Sequence, residues 1–256
     1  MNGNGQKSVL IASLLLLCSA PPLAGEGTAP AIGARAEKIL RSMSDYLKSV
    51  EQFTFRADIA YDALLVGGQK VRYGGVGEIS VHRPDYLRVE HRGDERNMRV
   101  VFNGVLFTFH DLDADLYAQR ELTANIDTAV DGMFEKFGFS VPTADLVYSD
   151  PYATLTSSVE SGSHLGLHTV DGVRCHHLAF TQESIDWQIW IEDGPRPLPR
   201  QLVITYKDEP ASPQYAVQFS RWNLSPGISD SYFEFEPPAG ARPMEFLPPE
   251  EDEAER

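Results

Sequence analysis

The 256-residue chain predicts a mainly β fold, an antiparallel sheet of about eleven strands flanked by two or three helices. Three observations predict it. From Phe53 onward, apolar residues alternate with polar ones in short runs. Glycine, Asn-Gly and proline turns separate those runs, and helical spacing is confined to a few stretches rather than alternating with the strands.

The chain begins with an uncharged apolar run, Val9 to Ala20, behind Lys7. That run is too short to span a bilayer and has the form of an export signal, so residues 1–24 are expected to be removed near Gly25. Cys18 adds a second route, lipidation, although Leu17 stands where a lipoprotein signal has a small residue. Membrane contact is expected only if Cys18 is lipidated. If it leaves with the signal, Cys175 is the one remaining cysteine and no internal disulfide can form.

Ile39, Leu40, Met43, Leu47 and Val50 follow helical spacing and lead into a strand carrying Phe53, Phe55, Ala57, Ile59 and Tyr61. Gly67-Gly68 turns the chain into Val71, Tyr73, Ile79 and Val81, and Arg83-Pro84-Asp85 turns it into Leu87, Val89 and His91. Asn103-Gly104 predicts a two-residue type I′ hairpin joining Met98, Val100 and Phe102 to Val105, Phe107 and Phe109. A short strand near Leu116 to Gln119 follows.

Ile126, Ala129, Val130, Met133, Phe134 and Phe137 mark a second helix, and a third stretch from about Ala144 to Leu155 is broken by Pro151. Strands resume at Val173–Thr181, Ile185–Ile191, Leu202–Tyr206, Tyr215–Trp222 and Tyr232–Phe235. Residues 34–242 are expected to form a single domain, and 243–256 a disordered acidic tail.

The formal charge of −15 argues against nucleic acid and anionic lipid surfaces as partners. Eleven strands make a sheet about 50 Å wide, whereas three helices cover about 30 Å. Either the sheet curls onto itself or a hollow remains for an apolar ligand, which at the size usual for ligand sites means at least about 300 Å³.

Four segments, DGVRCHHLAF (Asp171 to Phe180), IDWQIWIEDGPRPLPRQLVITYK (Ile185 to Lys207), ADLVYSDPY (Ala144 to Tyr152) and FEFEPPAGA (Phe233 to Ala241), resemble a bacterial family of predicted periplasmic proteins classed as a domain of unknown function. By fold the chain is similar to the LolA and LolB type of lipoprotein carrier. That resemblance implies a half-open barrel, a curved antiparallel sheet under helices, enclosing an apolar cavity. It also implies a periplasmic, non-enzymatic carrier of a lipid or of a lipoprotein acyl chain, with no cofactor. An envelope protein using the curved sheet to hold a protein partner is the alternative.

The residues expected to line the hollow are Leu40, Met43, Leu47, Phe53, Phe55, Phe107, Phe109, Met133, Phe137 and Trp187. Cys175, His176 and His177 combine thiol and imidazoles, the chemistry of a zinc site or an activated nucleophile. Strand geometry divides them, putting Cys175 and His177 on one face and His176 on the other. A His-Asp dyad with Asp186 across the next hairpin is a further possibility. Asp111, Asp113 and Asp115 lack the glycine and terminal glutamate of a calcium loop and are better read as a turn. The sequence carries no GxSxG, P-loop or dinucleotide fingerprint.

Overall fold

A computed structural model describes residues 31–137 and 143–245, with the side chains of 133–137 outside that description. The export run, Cys18 and the chain beyond residue 245 therefore lie outside the described residues.

Alternating residues from Gln52 onward form one twelve-stranded sheet. Its strands are β1 Gln52–Leu64, β2 Lys70–His82, β3 Tyr86–Gly93, β4 Asn97–Asn103, β5 Leu106–Asp111, β6 Leu116–Glu121, β7 Ser161–Val170, β8 Val173–Thr181, β9 Ile185–Glu192, β10 Pro199–Tyr206, β11 Gln214–Asn223 and β12 Arg242–Pro243. Their order is β12-β6-β5-β4-β3-β2-β1-β11-β10-β9-β8-β7, an open curved sheet in which β1 and β11 join two hairpin-built halves. Among the described residues three α-helices accompany it: α1 Ala34–Lys48, α2 Ile126–Phe137 and α3 Pro151–Thr156.

Four features differ from the sequence expectation. Residues 161–170 form β7, which the sequence hides because Gly162 and Gly166 interrupt the alternation and a bulge falls between His164 and Gly166. Tyr232 and Phe233 belong to a 3₁₀ turn, Asp230–Phe233, that buries Phe233 without pairing it to a strand. β12 runs parallel to β6, so the sheet is not antiparallel throughout.

The fourth is the Asn103-Gly104 turn. Only Gly104 has positive φ (83°), and Asn103 Oδ1 instead accepts hydrogen bonds from the backbone of Val105 (3.2 Å) and Leu106 (2.8 Å). The asparagine side chain thus does the work a type I′ backbone would do, and Phe102 pairs with Phe107 across a wider turn.

α1 buries the stripe Ala36, Leu40, Met43 and Leu47 and packs on β7, β9 and α3. The stretch after residue 143 splits as expected: a 3₁₀ turn, Ala144–Leu146, precedes α3, where Pro151 opens the helix and Asp150 caps it by accepting from the Ala153 N–H at 3.1 Å. No helix among the described residues is long and apolar enough to cross a membrane.

Candidate functional site

Directly paired residues on neighbouring strands share a face, so the register divides the inner, helix-covered face of β1–β5 into rows. The first row, Phe53, Val81, Leu87, Phe102 and Phe107, is bulky and sealed, with no member more than 5% exposed. The second is Phe55, Ile79, Val89, Val100 and Phe109. In the third, Ala57, Gly77, His91 and Met98, side chains shrink, and in the fourth Ile59 faces Gly75 and Gly93. The face therefore loses its filling along the strands.

Where it does so, a cleft opens between the sheet and the segment that carries α2 and the 3₁₀ turn. Its walls are Ile79, Val89, Val100 and Phe109 below, Val130, Ala144 and Val147 above, and Ile59, Leu87 and Met98 at the sides. Among the described residues Thr143 and His91 bring the only polar side chains to this lining, and the cavity volume is about 80 Å³. That is well under the 300 Å³ expected, and roughly half the ~150 Å³ that accommodates benzene, so a few carbons fit but no whole acyl chain does.

Of the residues expected to line a hollow, Phe109 does so. Leu40, Met43, Leu47, Phe53, Phe55, Phe107 and Trp187 are buried in the packed core instead, none more than 3% exposed. Met133 and Phe137 fall on α2 with side chains outside the described set. The missed signal lay in the β2 alternation: Val71, Tyr73, Ile79 and Val81 point inward, and the two positions between them on that face are Gly75 and Gly77.

His91 sits at the cleft on a bed of glycine. A Cβ on Gly75 would stand 2.6 Å from His91 Cε1, and one on Gly93 2.8 Å from Nε2, so only glycine at both positions leaves room for the ring. Burial lowers the imidazole pKa, and the Arg96 charge lowers it further. The carboxyl of Asp145, beside the lining residue Ala144, is pushed up to about 6 by burial.

The histidines of β7 and β8 form two separate pairs. On the inner face His164 Nε2 meets His176 Nδ1 at 3.2 Å, and His176 Nε2 meets Asp193 at 3.2 Å. On the outer face His168 Nδ1 meets His177 Nδ1 at 2.9 Å, His177 Nε2 meets Gln188 Oε1 at 3.0 Å, and the His177 ring stacks on Trp190 at 3.9 Å. Because Gln188 accepts from Nε2, His177 Nδ1 carries the lone pair and His168 donates.

The carboxylate partner is thus Asp193, not Asp186, which pairs across the strands with Thr181 and Thr205 and lies 3.3 Å from Lys207. Cys175 is fully buried, and burial pushes its thiol up to about 11, away from the thiolate that nucleophilic or metal chemistry needs. In the turn after β5, Asp111 accepts from its own loop backbone, Asp113 from Asn97, and Asp115 meets His110 at 3.1 Å. Among the described residues no three His, Cys, Asp or Glu side chains come together as a metal site.

A family model described as "Predicted periplasmic protein (DUF2092)" matches residues 36–247. The chain belongs to this family. Its place is the periplasm, in agreement with the export signal read from the sequence. No curated protein matches it.

Among solved structures, an uncharacterized conserved protein from Thermus thermophilus is 9% identical with a TM-score of 0.49, the match covering 82% of this chain and 99% of that one. The Mycobacterium tuberculosis lipoprotein LppX is 11% identical with a TM-score of 0.40, over 74% and 95% of the two chains. A LolA superfamily protein from Nitrosomonas europaea is 10% identical with a TM-score of 0.37, over 78% and 97%.

Proposed function

We propose that this protein is a periplasmic, non-enzymatic binder of an apolar ligand, and that it grips a few carbons, such as one end of an acyl chain, in the cleft over β2–β5. The observation that carries the reading is the apolar cleft itself, which opens beside Gly77 between the row Ile79, Val89, Val100 and Phe109 and the residues Val130, Ala144 and Val147 above it. Burying apolar groups there stabilises a complex by about 25 cal/mol per Å² of surface removed from water, before the cost of association. The volume limits what enters to part of a molecule, so the remainder stays at the mouth.

Native mass spectrometry of protein purified from its own periplasm tests this. Bound hydrocarbon-bearing molecules that are lost when Val100→Glu is introduced are the expected result. Wild-type protein that is ligand-free and fails to bind added 1-octanol contradicts it.

A second reading, an interaction protein of the envelope, draws on the tip of the β1–β2 hairpin. There Leu64 (41%), Leu65 (43%) and Val66 (fully exposed) form a run of uncovered apolar side chains. Capture of one stoichiometric protein partner, lost in Val66→Asp while octanol binding persists, is the outcome that supports it.

A further inference from the structure

The cleft is apolar on nearly every side, yet one imidazole has been given space in it. Gly75 and Gly93 stand on neighbouring strands, paired with each other, and both lack the Cβ that would displace the His91 ring. His91 itself makes no hydrogen bond to any described residue. Its counterparts elsewhere are engaged: His110 with Asp115, His164 with His176, and His177 with Gln188. An imidazole with no described partner beside an apolar hollow is the arrangement of a site that orients an amphiphile, its hydrocarbon part in the hollow and its head at the polar group.

Resting on the reading of the cleft as an apolar binding site, we infer that its ligand carries a head that accepts a hydrogen bond, a carboxylate or a carboxylic ester, and that an N–H of His91 binds that head. An imidazole offers one N–H when neutral and two when charged. The Arg96 charge acts on the same ring, which favours an acceptor or an anion there and disfavours a cation. Free fatty acids and acyl esters share this chemistry, and the two are separable by probe.

The experiment titrates full-length mature protein with octanoic acid, methyl octanoate, 1-octylamine and n-octane, following ¹⁵N shifts of the His91 ring together with calorimetric affinity. In the wild type the ring nitrogens are expected to shift with octanoic acid or the ester and not with n-octane. His91→Leu is expected to weaken the acid or the ester by about tenfold and to leave n-octane unchanged, with His91→Gln in between.

Binding of the acid alone identifies a free acid, and binding of acid and ester an acyl group; either supports the inference. Equal affinity for all four probes, or a His91 ring whose shifts do not respond to acid or ester, overturns it while leaving the apolar site intact. Failure of every probe to bind overturns the proposed function and the inference together. The wild-type shifts need no variant, so a folding defect in His91→Leu does not shield the inference.

Discussion

The two halves of the sheet solve the same local problem with different rings. In the half built from β7 to β10, Gly162 faces Phe180, whose ring would lie 2.6 Å from any Cβ added there. That phenyl stacks on Trp187 at 4.1 Å, and both are sealed, at 2% and 3% exposure. In the half built from β2 to β5, Gly75 and Gly93 make the same kind of room, but an imidazole occupies it and the neighbouring row is Gly77. Glycine opposite a ring thus closes one half and leaves the other open. What differs is how many small residues fall in adjacent rows.

Substitutions that remove the filling should therefore cost most in the closed half. Trp187→Ala is expected to destabilise the protein by about 3–5 kcal/mol, because its neighbours are fixed by packing. Met98→Ala removes only a half-buried side chain, so it is expected to cost less, about 1.5 kcal/mol. Urea denaturation of both variants measures the contrast, and equal losses would erase it.

The open half also carries Asp145, a carboxyl whose shift comes from burial and which has no ion-pair partner among the described residues. Its folded pKa of about 6 lies above the unfolded value, so the folded protein carries no penalty below the unfolded pKa and acquires it as pH rises through about 6. Asp145→Asn should stabilise the protein by on the order of 2 kcal/mol near pH 7.5 and leave it unchanged near pH 3.5, in melts at both values. A gain of the same size at both would remove the charge as its cause.

The two glycines give a smaller and sharper comparison. Gly162→Ala presses on two atoms of a locked phenyl ring and is expected to cost about 2 kcal/mol. Gly75→Ala presses on the half-buried His91 ring and, at 3.1 Å, on the Arg92 carbonyl, so about 1 kcal/mol is expected, and His91→Ala in the same chain should recover the part due to the ring. Double-mutant thermal melts check the recovery.

Much of this architecture is written in local patterns. The alternations from Phe53 to Tyr61 and from Ile185 to Ile191 name both strand and inward face, and the α1 stripe names the helix and what it covers. β7 was hidden because a strand with two glycines and a bulge has no clean period, and it is held by its pairing to β8. The Tyr232–Phe235 segment misled in the opposite direction, since alternation there reflects one buried ring, Phe233, rather than a ladder.

The cleft was less legible than the fold. Large aromatics such as Phe53, Phe55 and Trp187 stand out in the sequence, but residues of that size fill space, and a hollow is made where side chains are small. Gly75 and Gly77 supplied that signal within one strand. Its meaning depended on Gly93 and His91 arriving beside them, which only the β2–β3 register determines.

The central claim is that the cleft over β2–β5 is a dry apolar space able to admit a small hydrocarbon group. A crystal of the protein held under xenon pressure tests it most directly, since xenon enters dry apolar cavities and has no polar contacts to guide it elsewhere. A xenon atom is expected between Val89, Val100 and Val130, with the interior around Trp187 empty of gas. Ordered water hydrogen-bonded within the cleft, or side chains collapsed to fill it with no xenon bound, would contradict the account.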